Sequence, residues 1–371
     1  MVGGVKMQSS LQVYRVTLEV KGPVFIGSGQ KLKKKEYIER GNRVIIPDLQ
    51  KMFEEFRFKR LERAYEEFLN TNNSLTQWLN EKVKMRYFDW DIVENWKSYE
   101  LNNLDEGWNS NAEINLFIKD AYGLPYVPGS SIKGMLRTIL LAYDICKNRG
   151  KYQKVKSEIE EEMRNMRNRK VDKRYLKEQT DSLEIACFHR LQREDTKERD
   201  AVNSVMSKIV IGDSEPLALD DLILCQKQDR STEMVDNKIN TLRECLKPGT
   251  KITFPLTIDT KDFPYSIEEI KEAIKMFADL SYDCFLSKFR GTDRPMENTV
   301  WLGGGAGYVS KTITYALFQE KGVQTVAEIL EKRFAGKHID DRKVSPHMLK
   351  MTQYQGKDYC FGECRIHFEK Q

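Results

Sequence analysis

Three stretches of the sequence combine glycine or serine with nearby lysine, a composition that could hold the phosphate groups of a polyanion. Glycine lets the backbone approach a ligand closely, and lysine neutralises phosphate charge. The stretches are "GSGQKLKKKE" at 27–36, "PGSSIKGMLR" at 128–137 and "GGGAGYVSK" at 303–311. The candidate binding residues in them are Gly27, Ser28, Gly29, Lys31, Lys33, Lys34, Ser130, Ser131, Lys133, Arg137, Gly303, Gly304, Gly305, Gly307, Tyr308 and Lys311.

The middle stretch also predicts the start of a helix. Proline and glycine at 128–129 indicate a turn before the helix. Ser130 or Ser131 is expected to accept a hydrogen bond from the first backbone amides of that helix. Two interpretations of its bases, Lys133 and Arg137, stay open. Either they flank an anion-binding helix start, or they are solvated bases on a capped core helix.

The late stretch matches neither common nucleotide-binding motif. Tyr308 follows Gly307 where a Walker loop needs lysine, and it also stands where a dinucleotide fingerprint needs its third glycine. The glycines of 303–307 therefore indicate either a close backbone approach to a ligand or only a tight turn.

The residue types that support cleavage of a phosphodiester are not placed near these glycines in the sequence. A general base near neutral pKa would usually be histidine. The four histidines are His189, His338, His347 and His367, and the isolated acidic candidates near turns are Asp48, Asp120 and Asp213. Isolated aspartates beside turns usually cap helices or form turns. The sequence therefore favours a protein that is not an enzyme.

A C-x3-C-x2-H pattern at Cys360, Cys364 and His367 could suggest zinc. On a single strand both cysteines would share one face and His367 would lie on the other. A fourth ligand is also not close in sequence. We therefore predict no metal and no cofactor.

The charge of the chain is locally concentrated. The 371 residues carry a formal net charge of +5, yet residues 147–177 alone contain twelve Lys or Arg against five Asp or Glu. Such runs are usually solvated helical faces. Seven irregularly spaced cysteines, no secretory leader and no apolar run of about 18 residues lead us to expect a reduced, cytoplasmic protein without membrane insertion.

Strand and helix patterns alternate along the chain. Residues 13–21 and 251–259 alternate apolar and polar residues as half-buried strands do, and Pro255 suggests an edge or a bulge. Residues 48–100 have a helical pattern, whose aromatic residues are expected to form core. Ser266 and Glu269 form a capping box before another helix.

These patterns point to an α+β protein with two ferredoxin-like halves and helical insertions, although periodicity alone does not fix that topology. The predicted domains are an N-terminal half at 11–146 that carries the insertion 48–100, a basic helical segment at 147–204, and a C-terminal half at 205–371.

The order of the motifs resembles that of a known family. "FIGSG", "VPGSSIKGMLR" and "GGGAGYVSKT" together resemble the signature set of the RAMP superfamily of CRISPR proteins. The first strand with "GSG", "IIPD" at 45–48, "IGDSEP" at 211–216 and the late glycine loop look like the fifth Csm proteins, which cap one end of type III-A effector complexes. The motifs span about 14–312.

The resemblance implies that the two ferredoxin-like halves are RRM-related. It further implies a non-catalytic, antiviral-defence subunit that binds the 3' region of crRNA beside the adjacent Csm backbone subunit. It also implies a role in crRNA 3'-end maturation through recruited cellular nucleases. Relatives often carry a histidine just before the first "IGSG", whereas this chain has Phe25, so chemistry that needs that imidazole is absent here.

One alternative from another class stays open, namely a RAMP endoribonuclease that processes precursor crRNA. Discrete cleavage of repeat RNA, abolished by a single substitution, would favour this alternative.

Overall fold

The computed structural model describes residues 10–102, 112–165, 171, 174–233, 235–311 and 313–371. Its strands are β1 (Leu11–Val20), β2 (Gly27–Leu32), β3 (Ile38–Arg40), β4 (Arg43–Pro47), β5 (Lys97–Asn102), β6 (Glu113–Phe117), β7 (Ile209–Ile211), β8 (Leu222–Ser231), β9 (Asp236–Leu246), β10 (Lys251–Asp259), β11 (Thr299–Trp301), β12 (Met348–Tyr354), β13 (Lys357–Cys360) and β14 (Glu363–Lys370). Its α-helices are α1 (Leu49–Phe58), α2 (Glu62–Leu69), α3 (Leu75–Lys84), α4 (Trp90–Asn95), α5 (Gly129–Lys147), α6 (Gln153–Asn165), α7 (Lys177–Phe188), α8 (Ile267–Cys284), α9 (Ile313–Phe318) and α10 (Gly322–Arg333).

The smaller sheet is antiparallel, with the strand order β11-β14-β1-β10-β7. Its alternation is the one predicted: Val16 and Leu18 of β1 are buried, as are Phe254 and Leu256 of β10. Pro255 is not on an edge strand, because β10 lies between β1 and β7. The regular pairing with β7 covers only 256–258. The regular pairing on that side therefore ends at the residue next to Pro255.

One ferredoxin-like unit takes its elements from both ends of the chain. The elements β1, α5, β7, β10, α8 and β14 follow one another as β-α-β-β-α-β, with α5 packed against α8. The α+β class is confirmed. The domain boundaries near 146 and 205 stay a prediction, and strands from both sides of them share each sheet.

The larger sheet carries the strands that position the candidate site. Its path is β2-β6-β9-β8-β5-β4-β3, and β12 pairs with both β8 and β13. Parallel contacts join β6 to β9 and β5 to β8, so N-terminal strands are inserted next to C-terminal ones. The sheet therefore brings the first glycine stretch close to residues more than 200 positions away.

The segment 49–95 is helical and has its own core, as predicted. Phe56 lies at its centre, within 5.0 to 6.3 Å of the rings of Tyr65, Trp78, Phe88 and Trp96. The aromatic residues thus stabilise the insertion by packing on one another. The helical part ends earlier than predicted, because Lys97 already begins β5.

The predicted basic segment is helical over α6, where Val155, Ile159 and Met163 are buried along one face. Four basic residues of the run 147–177, Arg167, Arg169, Lys170 and Lys173, lie outside the described residues. The apolar spacing of α6 accounts for its docking against the rest of the fold. Within the described ranges, no helix is both long and apolar enough to span a membrane.

Burial of Glu39 makes a pH-dependent contribution to stability. Its Oε1 is buried without a hydrogen-bond partner among the described residues, and burial raises the pKa of this carboxyl to about 7. The folded chain therefore holds this proton more tightly than the unfolded chain does, and stability falls as pH rises from about 4.5 to 7.

We expect Glu39→Gln to remove this loss. The gain in unfolding free energy over wild type should be greater at pH 8 than at pH 5 by about 1 kcal/mol, since solvent near the half-buried group screens the full effect. Urea unfolding of both proteins at the two pH values measures the difference. Equal differences at both pH values would show that Glu39 titrates as a solvated carboxyl.

Candidate nucleic-acid interface

The first and last glycine stretches meet in the structure. The Gly304 amide donates a 2.7 Å hydrogen bond to the Phe25 carbonyl, two residues before the first glycine of "GSG". A Cβ on Gly303 would lie less than 3.0 Å from that same carbonyl oxygen, and the residue has a φ of +85°. Glycine is required there by both the contact and the backbone angle.

An arginine from β9 lies below this junction. The guanidinium carbon of Arg243 is 5.2 Å from the ring centroid of Phe25 and 5.7 Å from that of Phe361. A Cβ on Gly305 would lie 2.7 Å from the arginine Nη1. Its Nε and Nη1 are buried and have no hydrogen-bond partner among the described residues. A cation with unused donors thus supports the late glycine loop.

Two lysines extend this positive charge. Lys350 of β12 and Lys227 of β8 lie 2.7 Å and 3.6 Å from Asp229 Oδ1, and a Cβ on Gly307 would be 2.6 Å from the Lys350 Cγ. Desolvation, followed by the nearby Lys350 charge, lowers the pKa of Lys227. We call Arg243, Lys227 and Lys350 the basic cluster. It has three cations for one carboxylate, so an added anion would be stabilised there.

The first glycine stretch is an exposed strand beside this junction. Gly27 pairs with Phe117, and the Ser28 hydroxyl donates to the Leu116 carbonyl at 3.3 Å. Gly29 has a φ of +84°, and no described atom lies within 4 Å of where its Cβ would be. The backbone of this stretch is therefore open to a ligand.

The lysines after this stretch differ in their contacts. Lys31 pairs with Glu113 at 2.9 Å, and Lys34 Nζ donates to Asn72 at 3.0 Å. Lys33 is exposed, and its backbone amide donates to Glu36. Lys31 and Lys33 thus lie at the surface near the glycines, whereas Lys34 lies against the helical insertion.

The serine cap predicted for the middle stretch is wrong. The N-cap of α5 is Pro128, and the Gly129 amide donates to Asp213 Oδ1 at 2.8 Å. Ser130 and Ser131 lie within the first turn, so neither is placed to cap it. The helix starts where predicted, but a carboxylate of the chain already meets its first amide.

The two bases of this helix also have partners within the chain. Lys133 Nζ donates to the Ile209 carbonyl at 2.9 Å, and desolvation lowers the pKa of this half-buried lysine. Arg137 forms an ion pair with Glu184, and its guanidinium carbon lies 5.5 Å from the Phe188 ring centroid. These contacts favour a structural role for the middle stretch.

Tyr308 and Lys311, the candidate residues that follow the late glycines, have different surroundings. The Tyr308 ring packs 5.9 Å from the rings of both Phe285 and Tyr315, and burial raises the pKa of its hydroxyl. Lys311 is exposed at the end of a short 3-10 turn. Tyr308 therefore packs in the core, and Lys311 remains a candidate phosphate contact.

The sequence pattern of the RAMP superfamily matches residues 17–310. The chain belongs to the RAMP superfamily. It is 29% identical to the CRISPR system Cms protein Csm5 of Mycobacterium tuberculosis over 97% of this chain and 98% of that relative. It is 28% identical to the Csm5 protein of Streptococcus thermophilus over 94% and 90% of the two chains. The resemblance to fifth Csm proteins is thus confirmed.

Solved structures share the fold of this RAMP protein. A chain in the cryo-EM structure of a Csm-crRNA-target RNA ternary complex of a type III-A CRISPR-Cas system has a TM-score of 0.66 and 17% identity, covering 95% of this chain and all of that one. The crystal structure of T. onnurineus Csm5 has a TM-score of 0.63 and 18% sequence identity, and the match covers 94% of this chain and 99% of that one. The ferredoxin-like expectation is therefore confirmed at the level of fold.

The isolated aspartates of this RAMP protein have the structural roles that the sequence predicted. Asp48 accepts from the amides of Gln50 and Lys51 at the start of α1. Asp120 accepts from two amides of its own turn, and Asp213 accepts from the start of α5.

Cys360, Cys364 and His367 do not lie on a single strand, as the sequence argument against a zinc site assumed. Cys360 ends β13 and Cys364 lies in β14, with a tight turn at 361–362 between them. Burial raises the pKa of both thiols, to about 12 for Cys360. Within the described residues, these side chains are not grouped closely enough to share a metal ion, whereas the ligand atoms of His338, Asp341 and His347 all lie within 4.8 Å of one another.

Sequence reasoning missed the basic cluster altogether. Arg243, Lys227 and Lys350 lie in three strands and belong to no motif. The one local signal is that Arg243 shares a face of β9 with Cys245, which is buried, because arginine is rarely placed on a buried face without a partner.

Proposed function

We propose that this chain is a non-catalytic, RNA-binding subunit of a type III-A CRISPR (Csm) complex that functions in antiviral defence in the cytoplasm. Relatives named Csm5 align over nearly their full length, which supports membership in such a complex. The chain with the same fold in the Csm-crRNA-target RNA complex supports crRNA and other Csm subunits as partners.

The observation that carries the RNA-binding part is the convergence of two glycine stretches over the basic cluster. Exposed backbone at 27–29 and 303–304 lies next to Arg243, whose Nε and Nη1 donors are unused among the described residues. Backbone amides and cations hold phosphates without reading bases, so this arrangement suits a guide whose sequence varies.

Within this proposal, the RNA contacted is the 3' region of crRNA next to the adjacent backbone subunit. Occupying that region sets how far recruited cellular nucleases can trim, so the subunit is needed for 3'-end maturation. Loss of the basic cluster is then expected to change guide ends in cells, while the cleavage chemistry of other subunits continues.

The contacts of the histidines support a non-catalytic role. Their polar partners are Glu198 for His189, Asp341 for His338 and His347, and Asn298 for His367. None of these contacts involves a residue of the two converging glycine stretches. A general base must reach the proton that it abstracts, and an imidazole is not placed to do so at this interface within the described chain.

We expect the double variant Lys227→Gln, Lys350→Gln to bind single-stranded RNA on the order of tenfold more weakly than wild type. Wild type should show a log-log salt slope of about -3 to -4, corresponding to about four to six neutralised phosphates. Removing two contacts should make the slope shallower by about 1.4. Fluorescence anisotropy of a short labelled RNA over a range of KCl concentrations measures both quantities.

The matched control is Lys271→Gln, Lys275→Gln, which removes two half-exposed lysines from α8. This control should retain the affinity and slope of wild type. An equal loss in both double variants would mean that net charge, rather than this interface, binds RNA. The same mixtures prepared with repeat RNA test catalysis, and discrete products lost on a single substitution would favour the endoribonuclease.

A further inference from the structure

We propose that His338, Asp341 and His347 form a Zn²⁺ site in the segment between α10 and β12. The three side chains offer two imidazole nitrogens and one carboxylate oxygen, and these ligand atoms all lie within 4.8 Å of one another. Two histidines and one carboxylate are a common protein ligand set for zinc.

Asp341 is the centre of this group. Its Oδ2 lies 2.9 Å from His338 Nδ1, and its Oδ1 lies 2.6 Å from His347 Nδ1. The two imidazole ring centroids are 5.1 Å apart. A Zn²⁺ ion placed between these atoms would require only small side-chain adjustments. Each distance from the metal to a ligand atom would then be about 2.0 to 2.2 Å.

The burial of the carboxylate is the reason to expect a cation. The Asp341 side chain is 4% exposed, and its partners within the described chain are the Ser345 hydroxyl and two imidazoles, which carry a countercharge only when protonated. A buried carboxylate is costly unless it is paired or coordinates a metal. A divalent ion would supply that charge and would replace the hydrogen bonds between Asp341 and the two imidazoles.

The surrounding groups orient the ligands as those around metal sites do. The Ser345 hydroxyl donates to Asp341 Oδ2 at 2.7 Å, and the His338 amide donates to Glu331 at 2.8 Å. Such outer partners fix ligand direction and strengthen metal binding. Tyr315 holds the same segment by donating its hydroxyl to the Ser345 carbonyl at 2.8 Å.

The site has room for a fourth ligand. His338 and Asp341 line a groove of about 830 Å³ between α6 and α10, and the His347 side chain is 38% exposed. Water from the groove can therefore complete a tetrahedral shell. His347 directly precedes β12, which carries Lys350, so the metal would fix the start of the strand that supplies one cation of the basic cluster.

The test is Zn²⁺ binding to the full chain after treatment with a chelator, measured by competition with a zinc-sensitive dye. We expect one Zn²⁺ per chain, and about 100-fold weaker binding for Asp341→Asn and for His347→Gln. His367→Ala, which removes an exposed imidazole elsewhere, should bind like wild type. Co²⁺ in place of Zn²⁺ should give the visible absorption of a four-coordinate site, which His347→Gln should lose.

Thermal unfolding keeps the proposal testable if a variant folds poorly. Saturating Zn²⁺ should raise the Tm of wild type by about 3 °C or more, and Mg²⁺ should not, because it prefers oxygen ligands. The proposal is overturned if wild type takes up no stoichiometric Zn²⁺. It is also overturned if His367→Ala weakens binding as much as His347→Gln does, since the contacts at Asp341 are then only hydrogen bonds.

Discussion

Lys119→Ala is expected to lower the free energy of unfolding by about 3 to 5 kcal/mol. The Glu244 side chain is fully buried, and Lys119 Nζ lies 2.5 Å from its Oε2 as its ion-pair partner. The same oxygen accepts from the Phe117 amide at 2.8 Å, and the other carboxylate oxygen accepts from the Tyr99 hydroxyl. Removing the lysine leaves a buried carboxylate with hydrogen bonds but no countercharge. Urea unfolding measures the change.

Lys31→Ala is the matched control, because Lys31 also pairs with a glutamate across strands of the same sheet. Both partners of the Lys31–Glu113 pair are about half exposed, so solvent screens their attraction, and we expect no measurable change. Lys119→Met combined with Glu244→Gln should recover part of the stability that Lys119→Ala loses, because the buried charge is then removed. Equal stability of Lys119→Ala and Lys31→Ala would mean that water reaches Glu244.

This network also bears on the proposed RNA interface. Glu244 is next to Arg243 in β9, and its carboxylate joins β9 to β6 just beyond the residues where these strands pair. A shift of β9 would therefore move Arg243 relative to Phe25 and Gly305. We expect Lys119→Ala to weaken RNA binding as well, through position rather than charge.

Period-two alternation was enough to predict the strands that bury one face. In β1 and β10, the residues predicted to point inward are the buried ones. The aromatic spacing of 48–100 similarly predicted a helical unit with its own core, built around Phe56 and Trp78. These features are local, because each depends on which side of one element is apolar.

Strand order is not local, and the sequence could not supply it. The parallel contact of Glu113 with Thr241 joins strands more than 100 residues apart in the sequence. The alternation of apolar and polar residues along one strand does not indicate which strands are neighbours. The basic cluster depends on this order, since β8, β9 and β12 must be assembled before their cations meet. The sequence therefore named the two glycine stretches that meet at the candidate site but missed Arg243.

The middle stretch shows how a correct prediction of a helix start can still name the wrong capping residue. Helix α5 begins near the proline and glycine, as predicted, but its first amide is capped by Asp213 rather than by a serine, and Gly129 is needed for close packing. A Cβ at this position would lie less than 3.0 Å from the carbonyl oxygens of both Ile211 and Gly212. The close approach also lets Asp213 accept from the Gly129 amide, so this glycine joins the first helix of the ferredoxin-like unit to β7.

We therefore expect Gly129→Ala to lower the free energy of unfolding by about 2 to 3 kcal/mol, because backbone atoms must move to admit one methyl group. Gly134→Ala, five residues later in the same helix, should have the opposite effect. Apart from the neighbouring backbone of α5 itself, no described atom lies within 4 Å of a Cβ at 134, and alanine restricts the unfolded chain, so we expect a gain of about 0.5 to 1 kcal/mol. Urea unfolding of the two variants isolates the packing contact, because both replace glycine by alanine in α5. A stabilising Gly129→Ala would show that the loop at 211–213 yields readily, and that the join between α5 and β7 contributes little to the fold.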